Sequence, residues 1–203
     1  MTTPSPTPRR SLIFGAARSG KSAHAERLAL AALEAGAREI VYLATANRAA
    51  SRDDAEMQAR IAHHQQRRIA LGGHWRTVEE PLALGAALRA HSRADTVVLV
   101  DCLTVWLANL LFAEGLDYPE LGPITPPPAF AQQRADFLLA LQELPGPVLL
   151  VSNEVGMGIV PQGAISRWFV DEAGRLNQAV AALCERVQWV AVGLPLTFKD
   201  ISC

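Results

Sequence analysis

Gly15-Ala16-Ala17-Arg18-Ser19-Gly20-Lys21-Ser22 satisfies the pattern G-x-x-x-x-G-K-[ST] at every fixed position. The chemistry of that spacing is phosphate binding. Backbone N–H groups of a tight loop converge on an anion, the lysine reaches the β- and γ-phosphates, and the serine hydroxyl can hold Mg²⁺. Asp101 closes the apolar run Val97-Val98-Leu99-Val100, where an acid assisting Mg²⁺ lies in phosphate-loop proteins. His63-His64 adds a second kind of chemistry, because a neutral imidazole near pH 7 can attack phosphorus and form a phosphoramidate. The pair is poorly spaced for one metal ion: helix neighbours point about 100° apart, whereas a separation of four would align them. Taken alone, such a pair is more often simply solvated. The loop at 15–22 therefore points to a nucleoside triphosphate, and leaves kinase, motor and switch protein open.

These groups need a strand to deliver the loop and a helix to follow it. Ser11-Leu12-Ile13-Phe14 reads as a short buried strand, and Ala23 to Ala35, rich in Ala, Leu and Glu, reads as a helix. A second strand, Glu39 to Ala46, ends in Thr45-Ala46-Asn47, a tip placed to contact nucleotide. A charged helix then runs from Asp53 to about Ala70, and Gly72-Gly73 breaks it. On this helix Glu56, Arg60, His63 and Arg67 share a polar stripe, while Met57, Ile61, His64 and Arg68 share a more apolar one. The polar stripe favours His63 for exposure; the apolar stripe favours His64 for a lower charge state.

Downstream, strands are expected at His74–Glu79, Asp95–Asp101, Pro147–Glu154 and, last, Val187–Val192. Helices are expected at Leu82–Ala90, Leu103–Ala113, about Ala129–Leu144 and about Ala164–Glu185. Glu114 to Pro128 holds two Gly and five Pro, too short a stretch to divide two domains. Strands alternating with helices predict a single α/β domain, residues 10–203, with a mostly parallel sheet covered on both faces, a RecA-like P-loop NTPase. Residues 1–9 are expected to be a disordered tail. The polar strand tips Thr45, Asp101 and Asn153-Glu154 would gather along the edge that carries the loop.

Bulk properties narrow the function classes. The chain has 203 residues, half of them hydrophobic, and a net charge of −1, so no basic excess argues for nucleic acid. No apolar stretch reaches the length of a membrane span. Cys102, Cys184 and Cys203 are far apart and form no C-x-x-C, which fits neither a disulfide framework nor a zinc site and suits a reducing cytoplasm.

Beyond the loop, the chain resembles the bifunctional adenosylcobinamide kinase/adenosylcobinamide-phosphate guanylyltransferase family of cobalamin biosynthesis, from Leu12 to about Leu196. The resemblance rests on Ala17 to Ser22 with His24-Ala25-Glu26, on Tyr42 to Ala46, on Glu56 to His64, and on His74-Trp75-Arg76-Thr77. It continues through Asp101-Cys102-Leu103-Thr104, Ser152-Asn153-Glu154-Val155-Gly156-Met157-Gly158-Ile159-Val160-Pro161 and Asp171 to Gln178. The chain departs from the family in having Ala16 where a second Gly is usual, and in an Ala55 inserted before Glu56.

The resemblance implies two reactions. ATP or GTP phosphorylates the hydroxyl of the aminopropanol arm of adenosylcobinamide. GTP then gives GMP to a histidine, and adenosylcobinamide phosphate takes it to form adenosylcobinamide-GDP. By the same carry-over the guanylylated residue is His64, with His63 in reserve. Gly15, Ala16, Ala17, Arg18, Ser19, Gly20, Lys21, Ser22, Thr45, Ala46, Asn47, Gln65, Gln66, Arg67, Arg68, Glu79 and Asp101 match nucleotide-binding positions. Arg67 and Arg68 could neutralise an α-phosphate, Lys21 and Arg18 could stabilise phosphoryl transfer, and Glu79 and Asp101 suit guanine N–H or Mg²⁺ contacts. Ser22 and Asp101 are the expected Mg²⁺ residues, and a homo-oligomer, specifically a trimer, is implied. The alternatives are a small-molecule kinase with structural histidines, or a nucleotide switch without transfer chemistry.

Overall fold

The computed structural model describes residues 8–46, 54–72 and 74–201. Its first strand, β1 (Arg10–Gly15), runs into the loop, and α1 (Lys21–Glu34) leaves it. There follow β2 (Glu39–Ala44), α2 (Ala55–Leu71), β3 (Trp75–Glu79), α3 (Leu84–His91), β4 (Thr96–Asp101) and α4 (Leu103–Phe112). The chain continues through α5 (Pro128–Glu143), β5 (Val148–Asn153), α6 (Ala164–Leu183), β6 (Arg186–Ala191) and β7 (Leu194–Asp200). The seven strands form one sheet in the order β3-β2-β4-β5-β1-β6-β7, parallel except for β7.

Period-two alternation splits the central strands between two cores. Leu12, Val41, Leu43, Val98, Val100, Val148 and Leu150 face one side and pack with α3, α4, α5 and α6. Ile13, Ile40, Tyr42, Val97, Leu99, Leu149 and Val151 face the other, where Ala25 and Ala29 of α1 meet them. The expectation of helices on both faces of a mostly parallel sheet is met. The apolar helix α4 is core: Leu103, Trp106, Leu107 and Leu111 are fully buried.

Register places the site. Glu79 opposes Ala44, Ala44 opposes Asp101, and Gly15 opposes Asn153, so the carboxyl tips of five adjacent strands lie along one edge. β5 sits between the loop strand β1 and the Asp101 strand β4. At the tips Asn109 of α4 donates to the carbonyls of Thr45 and Pro81, tying β2 to the segment after β3.

One element differs from expectation. The sequence reading ends the sheet at Val192, but β7 adds an antiparallel edge strand through a turn in which Val192 and Gly193 both have positive φ. Pro195 and the exposed Leu194, Leu196 and Phe198 hide this strand from pattern reading, because proline is confined to edges and no buried alternation marks it. Of the expected tail, residues 1–7 lie outside the described residues. Arg9 is tied down, its N–H donating to Glu185 and its carbonyl accepting from Val148. Among the described residues no helix is long and apolar enough to cross a membrane.

Trp106 joins the core to the edge. Its ring lies 5.0 Å from that of Phe137 by centroids, tilted by 58°, and its indole N–H donates to the carbonyl of Leu82. Trp106→Ala is expected to cost about 3–5 kcal/mol through the cavity it leaves, seen as a lower urea midpoint at unchanged slope. A midpoint equal to that of the unaltered protein would show that this layer does not carry the core.

Candidate active site

The loop is shaped by close backbone approaches. A β-carbon on Gly15 would lie 2.3 Å from the carbonyl oxygen of Val190, so only glycine fits there. Gly20, at the start of α1, has φ +96°, and Arg18 has φ +56°. Two outside N–H groups pin the loop: Glu154 donates to the carbonyl of Gly15 and Gly193 to that of Ser19. Lys21 is buried with its ammonium 3.0 Å from the carbonyl of Ala16, folded back over the loop it serves. Ala16 and Ala17 are exposed on the rim.

α2 lies beside α1 on the same face of the sheet, and it separates two cavities. The first is lined by Arg18, Ser19, Gly20, Lys21 and Ser22 of the loop together with Glu56, His63, His64 and Arg67. The second is lined by Tyr42, Ala46, His64, Gln65, Arg68, Thr77, Glu79 and Asp101. His64 belongs to both. His63 is exposed and reaches only the loop cavity, and Gln66 is exposed and borders neither.

The two arginines, expected to act alike, are divided by α2. Arg67 forms a bidentate pair with the buried Glu26, its Nε and Nη2 at 2.6 and 2.9 Å, and its Nη2 also lies 3.3 Å from His64 Nδ1. Arg68 is buried in the second cavity with its guanidinium 3.7 Å above the Tyr42 ring, a cation–π contact. The Tyr42 hydroxyl donates to Asp101 at 3.1 Å, and burial holds its pKa well above the usual value, so it remains a neutral donor.

Thr45 is consumed locally. Its hydroxyl donates to the Cys102 carbonyl at 2.8 Å and accepts from the Cys102 N–H at 2.9 Å, which fixes the tip of β2 against that of β4. Asn47 lies outside the described residues. Two groups outside the expected nucleotide-binding set emerge: Glu26, and Asn153, a strand tip expected at this edge, which donates to Thr104 between the loop and Asp101. In the sequence Glu26 shows only as an acid one turn beyond Ser22 and as the last residue of the His24-Ala25-Glu26 stretch, and neither ties it to Arg67.

Ser19 Oγ and Arg68 Nη1 are buried without a hydrogen-bond partner among the described residues. A third such atom, Arg134 Nε, lies away from both cavities, whereas Ser19 lines the first and Arg68 the second. Among the described residues no cluster of three or more His, Cys, Asp or Glu could hold a metal by itself. Ser22 and Asp101 offer hard oxygen donors, the kind that suits Mg²⁺ when phosphates and water complete its shell.

A mostly parallel sheet whose edge carries this loop defines a P-loop nucleotide-binding protein. The assembled ATPase EscN of the enteropathogenic E. coli type III secretion system shares the fold at TM-score 0.50 and 13% identity, over 94% of this chain and 48% of that one. Sequence comparison is more specific. The model of the family described as cobinamide kinase/cobinamide phosphate guanyltransferase matches residues 11–198, and the chain belongs to that family. It is 49% identical over 190 residues to the bifunctional adenosylcobalamin biosynthesis protein CobP of Pseudomonas aeruginosa, covering 94% of this chain and 97% of that protein. To the bifunctional protein CobU of Escherichia coli it is 40% identical over 190 residues, covering 93% and 98%. Both activities of the family, kinase and guanylyltransferase, are thereby this chain's, as the sequence reading expected.

The pKa of His64 is lowered from 6.5, chiefly by burial; Asp101 and Glu26 pull it up, and Arg67 and Arg68 push it down. The native ring therefore takes its proton at lower pH than the unfolded chain does. Above about pH 6.5 this group costs nothing; as pH falls below, the unfolded state protonates first and stability is lost. His91, lowered by burial with Arg76 and Arg93, acts in the same direction. His64→Asn is expected to flatten the fall in unfolding free energy between about pH 7 and about pH 5.5, read from urea titrations. An unchanged fall would place the depressed group elsewhere.

Proposed function

We propose that the chain phosphorylates adenosylcobinamide with ATP or GTP and then transfers GMP from GTP, through a covalent GMP–His64 intermediate, to adenosylcobinamide phosphate. The observation that carries this reading is the place of His64, shared by the loop cavity and the second cavity and held toward its neutral form. A neutral ring offers a lone pair to phosphorus; a protonated one does not.

In the kinase step the loop 15–22 cradles the β- and γ-phosphates. Lys21 and Arg18 stabilise charge on the transferred group while the corrinoid hydroxyl attacks the γ-phosphorus and the nucleoside diphosphate leaves. In the second step a His64 ring nitrogen attacks the α-phosphorus of GTP. The N–P bond forms, the bond to the bridging oxygen breaks, and pyrophosphate departs with its electron pair. Arg67, in the loop cavity, stands ready to neutralise the α-phosphate. The second cavity takes the guanine base, whose N–H groups suit the carboxylate of Glu79. An oxygen of the cobinamide phosphate then attacks the same phosphorus, the N–P bond breaks, and His64 is restored as adenosylcobinamide-GDP forms. Ser22 and Asp101 would hold Mg²⁺, which supplies charge neutralisation at the phosphates.

The exposed His63 borders only the loop cavity, which supports His64 over its neighbour. γ-Phosphoryl transfer needs the triphosphate tail in the loop, and GMP transfer needs the α-phosphorus at His64, so the two steps require two nucleotide poses or a shift of α2. A GTP-bound structure with His64 already in line with the α-phosphorus would refute that requirement. A cytoplasmic location and a homotrimer belong to the same proposal; sedimentation equilibrium tests the latter.

Protein incubated with GTP labelled at the α-phosphate and quenched in alkali is expected to retain label in an acid-labile, base-stable adduct. His64→Ala should abolish the adduct and leave adenosylcobinamide phosphorylation in place. Lys21→Ala should lower phosphorylation about 100-fold or more, the scale for removing one electrostatic stabiliser. Phosphorylation without any adduct would leave a kinase with structural histidines; tight GTP binding with neither activity would leave a switch.

A further inference from the structure

α2 is an amphipathic helix with little apolar anchorage. Ile69 and Leu71 are exposed, and among its residues whose burial is described only Arg68 is buried. Two cations tie it to the sheet and to α1: Arg68 over the Tyr42 ring and Arg67 on Glu26. Glu26 is fully buried on α1, and a buried carboxylate is tolerated only with a close, well-aligned partner. Arg67 supplies that partner in bidentate form, and the same Nη2 lies 3.3 Å from His64 Nδ1 on the next turn of α2. A guanidinium has donors only, so Nδ1 must accept and the ring proton sits on Nε2; in the proposed transfer Nδ1 is then the nitrogen whose lone pair attacks phosphorus once the α-phosphate draws Nη2 away from it. Without Glu26 the long Arg67 side chain, still partly exposed to water, would be free to leave His64.

We infer that Glu26 is a positioning residue for His64, fixing Arg67 so that its guanidinium holds the imidazole with Nδ1 unprotonated and turned toward it. The carboxylate touches no reacting atom; it acts through Arg67. It also ties α2 to the helix that begins at Lys21, so the ring is placed relative to the phosphate loop by one buried ion pair. The kinetic consequence rests on the proposed guanylyl transfer; the geometric one does not.

The test uses full-length protein labelled with ¹⁵N-histidine, and Glu26→Gln, a near-isosteric change that removes the charge and turns one of the two acceptor oxygens into a donor. In the unaltered protein the His64 Nδ1 resonance is expected at the position of an unprotonated nitrogen accepting a hydrogen bond. In E26Q it should move toward that of an unbonded one. Adduct formation from α-labelled GTP should slow about tenfold or more, the scale for outer-shell partners, while kinase turnover and its KM for the triphosphate change less than about twofold. A protonated Nδ1 in the unaltered protein, an unmoved resonance in E26Q, or equal slowing of both reactions would overturn the inference. If E26Q does not fold, E26D, too short to span both Nε and Nη2, carries the same expectation, and an unmoved resonance there overturns it as well. Absence of any adduct in the unaltered protein would sink the guanylyl-transfer reading, with the Nδ1 resonance still deciding the role of Glu26.

Discussion

The end of β1 presses against its neighbour so closely that Gly15 has no room for a side chain, its virtual β-carbon falling 2.3 Å from the Val190 carbonyl. Much of the site depends on that approach. It brings the first residue of the loop opposite Asn153 and beneath the N–H of Glu154, and it brings the β6–β7 turn near enough for Gly193 to hold Ser19. A loop pinned on two sides from outside can leave its own N–H groups for an anion. The sheet around it is ordinary: parallel strands buried on both faces, specified by β-branched and leucine residues in alternation.

Rigidity on that side contrasts with α2. The phosphate loop is set by backbone hydrogen bonds and steric limits, which have narrow minima. α2 is set by a bidentate ion pair and a cation over an aromatic ring, both at its C-terminal half. Such contacts orient well, because arginine presents a planar fork, yet they bury little apolar area. The division fits a two-step enzyme. In the proposed reaction one step needs the tail of the nucleotide in a fixed cradle, and the other needs a nucleophile that meets a different phosphorus.

Much of this was legible in residues. The loop, the strand tip at Asp101 and the alternation of elements follow from local pattern, and the structure realises them within a residue or two at most boundaries. What pattern could not show was pairing across distance. Glu26 looks like one helical acid among alanines until the fold brings Arg67, forty-one positions on, within reach of its carboxylate. Arg67 and Arg68 are neighbours in sequence with one apparent task, but a helix turns them into different cavities. Thr45 carries a hydroxyl suited to nucleotide, and only the register of β2 against β4 shows it spent on the backbone of Cys102. β7 escaped because its signal is that of an edge: a proline, outward apolar residues and no second buried face.

The partition of polar groups argues that the two cavities serve one molecule. The loop cavity is cationic, with Lys21, Arg18 and Arg67 around an unpartnered Ser19 hydroxyl. The second pairs the acids Glu79 and Asp101 with an unpartnered Arg68 nitrogen and the apolar side chains of Ile61 and Val105. Phosphates are recognised by the first chemistry; a planar base with N–H donors and a carbonyl acceptor suits the second. In the proposed guanylyl-transfer pose, distinct from the one that feeds the kinase step, a nucleotide spanning them would pass its α-phosphate between, and the side chain common to both walls there is His64. Its lowered pKa follows from the same placement, since a ring half withdrawn from water between two cavities is costly to charge.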